Sequence, residues 1–154
     1  MSSTASKSRR VLVVEDDALL AWELQDLLSG HGYEVVGPIG RLPILLHYLQ
    51  QTLPDAAGDA AIDAALLDVT IDGGLVFPAA DMLARINIPF AFVSGHARGM
   101  IPALHRDRPL LNKPVGPEDV LGAVAQLLEP LGTAQDEAAP PTPPVSTKES
   151  SRRR

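Results

Sequence analysis

The sequence has 154 residues, 45% of them hydrophobic, which suffices for one domain with a single hydrophobic core. The absence of cysteine excludes disulfides, thiolate metal sites and a cysteine nucleophile. Residues 11–129 carry a formal charge of −10, because residues 1–10 contribute +3 and residues 130–154 contribute +1 to a total of −6. A body this acidic is not expected to bind nucleic acid directly.

Residues 1–9 form a basic arm at the start of the chain, which we expect to be flexible. The arm lacks the apolar stretch of a signal peptide, and no apolar run in the sequence reaches membrane-spanning length. We therefore expect a cytoplasmic protein that does not contact membranes.

Strands and helices are predicted to alternate after the arm, beginning with a strand at Val11–Glu15. The first helix is indicated by leucines at helical spacing, namely Leu20, Leu24, Leu27 and Leu28, and it ends at Gly30. Further strands are predicted at Tyr33–Val36, Ala64–Asp68, Phe90–Ser94 and Pro109–Asn112, and further helices at Leu42–Gln51, Phe77–Arg85, Arg98–His105 and Glu118–Leu128. Residues 54–63 are expected to form a loose connection. This alternation predicts an α/β fold in which helices cover both faces of a parallel sheet.

The composition changes after Glu129. Residues 130–154 include Pro140, Pro141, Pro143 and Pro144 and end in three arginines. Such a segment cannot build a core, so we predict a disordered tail after a folded domain that spans residues 10–129.

Polar residues follow the strands at the edge where their carboxyl ends meet, which is where open parallel sheets bind ligands. The first strand ends in Glu15-Asp16-Asp17, the third in Asp68 and the fourth in Ser94. The fifth runs into Lys113, the one lysine between residues 11 and 129. Together these groups can bind and transfer a phosphoryl group.

Carboxylates gathered at one edge repel one another unless a cation neutralises them, and oxygen ligands with a dianionic substrate favour Mg²⁺. We assign the metal to Asp16 and Asp68, with Glu15 acting through a water molecule and the backbone carbonyl of Thr70 as a further ligand.

Asp68 ends the most central and most apolar strand, so it is the candidate nucleophile that forms an acyl phosphate. The Lys113 ammonium and the Ser94 hydroxyl are expected to bind the phosphoryl oxygens.

Each residue also has a structural explanation when it is taken alone. Asp16 or Asp17 fits a helix N-cap, Asp68 a turn, Lys113 a strand exit and Ser94 an ordinary loop. The phosphoryl-transfer interpretation therefore depends on their joint position at the ends of strands one, three, four and five.

With these residues placed, residues 10–128 resemble the receiver domain of two-component response regulators. The matching segments are Val11–Asp17 with the acidic pair Glu15 and Asp16, Ala65–Val69 around Asp68, Ser94 at the position of the family's Thr or Ser hydroxyl, and Leu111–Pro114 with the family's lysine and cis-prone proline.

The resemblance implies a flavodoxin-like (βα)5 three-layer sandwich with strand order 2-1-3-4-5. It also implies Mg²⁺-dependent phosphotransfer to Asp68 from a sensor histidine kinase or a histidine phosphotransfer protein, followed by slow hydrolysis. The chain would be a single-domain signalling protein rather than an enzyme. It would be a monomer or weak homodimer that switches a downstream protein or acts as a phosphate sink.

The sequence departs from the family at the strand-five aromatic residue, which in many members rotates to follow the switch hydroxyl. Leu110 stands at that position here, so movement of the hydroxyl is expected without the rotating ring.

A narrower resemblance covers Asp68–Asp81 and Ile88–Gly95. These segments are similar to a branch of stand-alone receivers that bear a Phe-Ala-Thr-Gly signature, some of them tied to general stress signalling. This chain has Phe92-Val93-Ser94-Gly95. His96 fits either the position of an aromatic found next in that branch or a solvated loop.

Trp22 lies off the leucine stripe of the first helix, and we expect it to be partly buried against the neighbouring helix. The family contacts its kinase through the first helix and the loop after strand five. The alternative is therefore that Trp22, Leu20 and Pro114 belong to a docking surface.

Two other functions fit parts of the pattern. A degenerate receiver would act as a constitutive protein-binding module, but all the acceptor-site residues are present. An aspartyl-phosphate hydrolase of the haloacid dehalogenase type would need a second aspartate where this chain has Thr70, and its nucleophile is expected on the first strand.

Overall fold

A computed structural model of the chain describes residues 8–52, 62–95 and 98–129. The predictions made for residues 1–7, for residues 53–61, for His96 and for the tail at 130–154 lie outside these residues. The strands are β1 (Arg10–Val14), β2 (Glu34–Ile39), β3 (Ala64–Asp68), β4 (Thr70–Ile71), β5 (Gly74–Leu75), β6 (Phe90–Ser94) and β7 (Leu110–Asn112). The helices are α1 (Ala18–Gly30), α2 (Leu42–Thr52), α3 (Phe77–Arg85) and α4 (Pro117–Leu127).

Five of the strands form one parallel sheet in the order β2-β1-β3-β6-β7, while β4 and β5 form a separate antiparallel hairpin. Without the hairpin strands, this is the predicted order 2-1-3-4-5, so the flavodoxin-like fold is confirmed. β3 is the central strand and every one of its residues is buried. The sheet therefore presents Asp68 at the end of its middle strand.

Successive side chains of a strand point to opposite faces, and the sheet accordingly has a hydrophobic core on each side. One core contains Val11, Val13, Leu66, Ala91 and Val93 of the sheet with Leu24 and Leu28 of α1 and Val120 and Val124 of α4. The other contains Leu12, Val14, Leu67, Phe90 and Phe92 of the sheet with Leu45 and Leu49 of α2 and Ala79, Ala80 and Leu83 of α3. These two cores give the predicted three layers.

The predicted helix at Arg98–His105 is wrong. The segment forms two short 3-10 turns, Arg98–Met100 and Ala103–His105. Pro102 lacks a backbone N–H and disfavours the helical conformation at the residue before it, so it disfavours a continuous helix through this point.

Buried side chains hold this segment, the β6–β7 connection, against the sheet instead. His105 is 1% exposed, and its Nε2 lies 2.7 Å from Oδ1 of Asp81 on α3. The imidazole also meets the rings of Phe90 and Phe92 edge to face, with centroids 5.6 and 6.1 Å away. His105 thus fixes the β6–β7 connection to α3 and β6, although the connection is not a continuous helix.

Two further features of the backbone were not predicted. β2 continues to Ile39, with an irregular register between Leu12 and Val14 of its neighbour. The β4–β5 hairpin turns at Asp72 and Gly73, and Gly73 has a φ of +100° that favours glycine. The Asp72-Gly73-Gly74 sequence is typical of a turn, but two-residue strands are too short to give a periodic pattern.

Candidate functional site

The parallel pairing of β1 with β3 brings two acidic residues side by side. Val14 is in register with Leu67, so the next residues of the two strands, Glu15 and Asp68, adjoin at the carboxyl edge of the sheet. Both are buried, with exposed fractions of 3% and 5%. Burial of two carboxylates in contact requires neutralisation by a proton or a cation.

Asp16 and Asp17, the two acidic residues that follow Glu15, make different contacts. Asp17 is the N-cap of α1, and its Oδ1 accepts a hydrogen bond of 3.1 Å from the Leu20 backbone N–H. Asp16 is exposed, and one of its carboxylate oxygens lies within 4.8 Å of oxygens of Glu15 and Asp68. The capping explanation therefore holds for Asp17, and Asp16 joins the acidic cluster.

Lys113 reaches both buried carboxylates from the end of β7. Its backbone N–H donates to the Ser94 carbonyl at 2.9 Å, which continues the β6–β7 pairing. Its Nζ lies 3.0 Å from Asp68 Oδ2 and 3.2 Å from Glu15 Oε1. The structure thus brings together the ammonium and the carboxylate whose proximity the sequence interpretation requires.

Ser94 and Thr70 complete the edge around Asp68. Ser94 is buried at the end of β6 and follows Val93, the residue in register with Asp68. Thr70 is exposed, and its backbone N–H donates to Asp68 Oδ1 at 3.3 Å. Each oxygen of the Asp68 carboxylate therefore has a donor, from Thr70 on one side and Lys113 on the other.

Burial and mutual charge shift the protonation of the site. Burial raises the pKa of Glu15 to about 7, and hydrogen bonding to Asp68 adds to this rise, against the opposing N–H of Asp17 and the charge of Lys113. Burial acts to lower the pKa of Lys113, but hydrogen bonds and charges of Asp68 and Glu15 outweigh it and raise that pKa. The site therefore stabilises the charged form of Lys113 and disfavours ionisation of Glu15.

The donor set fits a hard divalent cation. Three carboxylates converge, and the buried Oε1 of Glu15 accepts no hydrogen bond from the described residues, although it lies 3.2 Å from the Lys113 ammonium. Asp16 is open to solvent, which leaves room for the several waters that Mg²⁺ retains in proteins.

The expectation for Trp22 is wrong. α1 buries Ala21, Leu24 and Leu28, and a residue next to Ala21 lies off that face, so the Trp22 side chain is 61% exposed. It lines an open groove beside the acidic residues rather than packing under a helix. The other lining residues are Glu15, Asp16, Ala18, Ala21, Gln25, Pro38, Gly40, Arg41 and Asp72.

The three candidate docking residues do not line one groove. Leu20 is half-buried in a different groove, between α1 and α4, which also includes Val115 and Pro117. Pro114 is exposed after Lys113, and the peptide bond between them is cis. α1 therefore has two separate grooves along its length, one on the Trp22 side and one on the Leu20 side.

Two contacts of the site were missed from the sequence. Glu15 was expected to reach the cation through water, and its direct pairing with Lys113 is a contact that was not predicted. The second contact is the ion pair between Arg41 and Asp72 at the margin of the Trp22 groove, in which Nε lies 3.3 Å from Oδ2. An Asp-Gly-Gly sequence is typical of a turn, so Asp72-Gly73-Gly74 is the signal that could have placed Asp72 at a chain reversal near Asp68.

Comparison with known proteins identifies similar solved structures. SdrG from Sphingomonas melonis Fr1 is 35% identical to this chain, with a TM-score of 0.65, and the match covers 81% of this chain and 100% of SdrG. A response regulator receiver protein from Sinorhizobium medicae WSM419 shares the fold at 23% identity and a TM-score of 0.65, over 79% of this chain and 95% of that protein.

A CheY-like response regulator receiver domain protein from Methanospirillum hungatei JF-1 also shares the fold, at 20% identity and a TM-score of 0.65, over 86% of this chain and 100% of that one. Neither the models of protein families nor the sequences of curated proteins give a match to the chain. None of the helices in the described ranges combines the length and the apolar character needed to cross a bilayer.

Three observations point to the same family. They are the sheet order, the 35% identity to SdrG over its whole length, and the pairing of Lys113 with Asp68 at the carboxyl edge of the sheet. The chain therefore belongs to the family of response-regulator receiver domains.

Proposed function

We propose that this receiver accepts a phosphoryl group on Asp68 with Mg²⁺ bound at the acidic cluster. The observation that carries the proposal is the Lys113 ammonium, 3.0 Å from Asp68 Oδ2, beside three carboxylates whose oxygens lie within 4.8 Å of one another. A receiver that served only as a constitutive binding module would not require this arrangement.

The donor is a phosphohistidine on a sensor histidine kinase or a histidine phosphotransfer protein. A carboxylate oxygen of Asp68 attacks the phosphorus, the P–N bond to histidine breaks, and an acyl phosphate forms. Lys113 supplies positive charge to the phosphoryl oxygens, and the Ser94 hydroxyl donates a hydrogen bond to one of them.

Asp16, Asp68 and the Thr70 carbonyl would hold the cation, with Glu15 near it directly or through water. Mg²⁺ supplies charge neutralisation for the phosphoryl oxygens. The chain's own residues orient the acceptor, because the Thr70 N–H and the Lys113 ammonium fix the Asp68 carboxylate from two sides.

The conformational change that follows phosphorylation begins at Ser94. A hydrogen bond from its hydroxyl to the phosphoryl group would pull the end of β6, and with it the start of the β6–β7 connection. β7 has the sequence Leu-Leu-Asn, with Leu110 half-buried in register with Phe92. The strand therefore carries no aromatic ring that could rotate in this switch.

The receiver at residues 10–129 acts as a cytoplasmic regulator. Phosphorylation alters its contact with a downstream protein, or the acyl phosphate drains phosphoryl groups from the kinase. It works as a monomer or weak homodimer.

The decisive experiment is phosphorylation of Asp68→Asn. Acetyl phosphate with Mg²⁺ is expected to modify the wild-type protein and to leave Asp68→Asn unmodified, as measured by intact mass and by a phosphate-affinity gel. Asp26→Asn, an exposed aspartate on α1, is the matched control and is expected to be modified like the wild type. Undiminished phosphorylation of folded Asp68→Asn would place the acceptor elsewhere.

A further inference from the structure

The loop between β2 and α2 contacts the backbone of the acidic pair. A Cβ atom added to Gly40 would lie 2.9 Å from the Asp16 Cα and 2.9 Å from the Glu15 carbonyl oxygen. Real Cβ contacts are not this short, so any side chain at residue 40 would push the loop and the acidic pair apart. Gly40 thus permits direct contact between two loops that follow neighbouring strands.

The same loop is bonded to the hairpin that follows Asp68. The Leu42 N–H donates to the Asp72 carbonyl at 2.7 Å, and the Asp72 N–H donates to the Gly40 carbonyl at 3.1 Å. Arg41 and Asp72 form an isolated parallel bridge, and their side chains form the 3.3 Å ion pair. Asp72 is two residues after Thr70 and four after Asp68.

The hairpin turn also rests on the start of α2. Gly73, at a φ of +100°, approaches so closely that an added Cβ would lie 3.0 Å from Pro43 Cδ. At Gly74 an added Cβ would lie 3.3 Å from Leu42 Cδ2. Residues 40–43 are therefore wedged between the Glu15–Asp16 backbone on one side and the Asp72–Gly74 turn on the other.

We propose that residues 40–43 act as a spacer that sets the separation between Asp16 and the Asp68–Thr70 side of the cation site, and so select Mg²⁺ over Ca²⁺. This inference rests on the proposed function, because it assumes that a cation binds there. The two ions differ in what they demand of a site. Mg²⁺ requires near-ideal octahedral ligands at about 2.0–2.1 Å, whereas Ca²⁺ accepts six to eight ligands at about 2.3–2.6 Å in flexible geometry.

Gly40→Ala tests the spacer, because one methyl group at residue 40 would widen the gap without changing a metal ligand. Mg²⁺ affinity is expected to fall roughly tenfold or more, as it does when residues that orient metal ligands are changed. Ca²⁺ affinity is expected to fall much less, so that the ratio of the two affinities changes. Both are measured by calorimetry and by Trp22 fluorescence, since Trp22 lines the groove beside Asp16.

Gly122→Ala is the matched control, because a Cβ added at residue 122 on α4 meets nothing within 4 Å. Urea unfolding of the metal-free proteins verifies that each variant is folded. If Gly40→Ala fails to fold, the double variant Arg41→Ala/Asp72→Ala removes the ion pair and retains the backbone bonds. It is expected to shift the affinity ratio in the same direction by a smaller factor.

The outcomes separate the two proposals. Failure of the wild-type protein to bind Mg²⁺ would overturn the proposed function and this inference with it. Wild-type binding of Mg²⁺ with an unchanged Mg²⁺-to-Ca²⁺ affinity ratio in the folded spacer variants would overturn the inference alone.

Discussion

Asp16 and Asp17 are adjacent carboxylates with different surroundings, and this difference can be tested one residue at a time. Asp17 bonds to the Leu20 N–H and caps α1, while Asp16 is exposed at the acidic cluster. A capping group stabilises the folded chain, whereas a metal ligand contributes stability only when the metal is present.

We expect Asp17→Ala to lower the free energy of unfolding by about 1 kcal/mol, the usual contribution of an N-cap, and to change Mg²⁺ affinity little. Asp16→Asn is expected to do the reverse, weakening Mg²⁺ roughly tenfold or more with little effect on the metal-free protein. Urea unfolding and calorimetric titration of both variants measure the two quantities. Loss of both properties in the same variant would contradict this division.

The site residues themselves could be predicted because they depend only on strand ends. Once five parallel strands were assigned, Glu15, Asp68 and Lys113 had to meet at one edge. The direct pairing of Glu15 with Lys113 could not be predicted, because it depends on side-chain distances of about 3 Å that no residue spacing encodes.

At the scale of elements, the five predicted strands and four of the five predicted helices agree with the structure, and the wrong helix has a local cause. Pro102 interrupts the helix predicted at Arg98–His105, and the apolar spacing in that segment serves two turns instead. The bonds between the β4–β5 hairpin and the β2–α2 loop join distant parts of the chain. Such a contact leaves no periodic trace in the sequence.

Helix α1 separates two grooves, and Trp22 is an exposed apolar side chain in the groove that contains Glu15 and Asp16. If a kinase contacts this side, Trp22→Ala should slow phosphotransfer from the kinase without slowing phosphorylation by acetyl phosphate. Rates are measured with a panel of sensor histidine kinases and with acetyl phosphate. Ile44→Ala is the control, because Ile44 is 53% exposed on α2 and gives a comparable loss of exposed apolar surface.

Two results would contradict docking at Trp22. Equal slowing with both phosphodonors would mean that the ring supports the acceptor site itself. Unchanged phosphotransfer from every kinase that modifies the wild type would mean that the docking surface lies elsewhere.

For the molecule as a whole, Glu15 links stability to pH in the metal-free state. Its pKa is raised from 4.5 to about 7 on folding, so folding favours the protonated carboxyl. The stability that this group contributes is fully present below pH 4.5 and is lost as the pH rises through about 7. The loss amounts to at most about 3 kcal/mol.

Glu15→Gln cannot ionise, so its free energy of unfolding is expected to lack this decline. The test is urea unfolding of both proteins with a chelator present, at intervals between about pH 4.5 and pH 8. The difference between wild type and variant is expected to change across that range in favour of the variant at high pH. Parallel pH profiles would show that Glu15 does not titrate with folding.

The β6–β7 connection has a mechanical consequence for the whole domain. A continuous helix is stiff, so a displacement of one end is transmitted to the other end. Pro102 lies between the turns at Arg98–Met100 and Ala103–His105, and the second turn is bound to α3 through His105 and Asp81. We therefore expect a displacement at the end of β6 to reach the second turn less directly than it would through a continuous helix, because the second turn is fixed to α3.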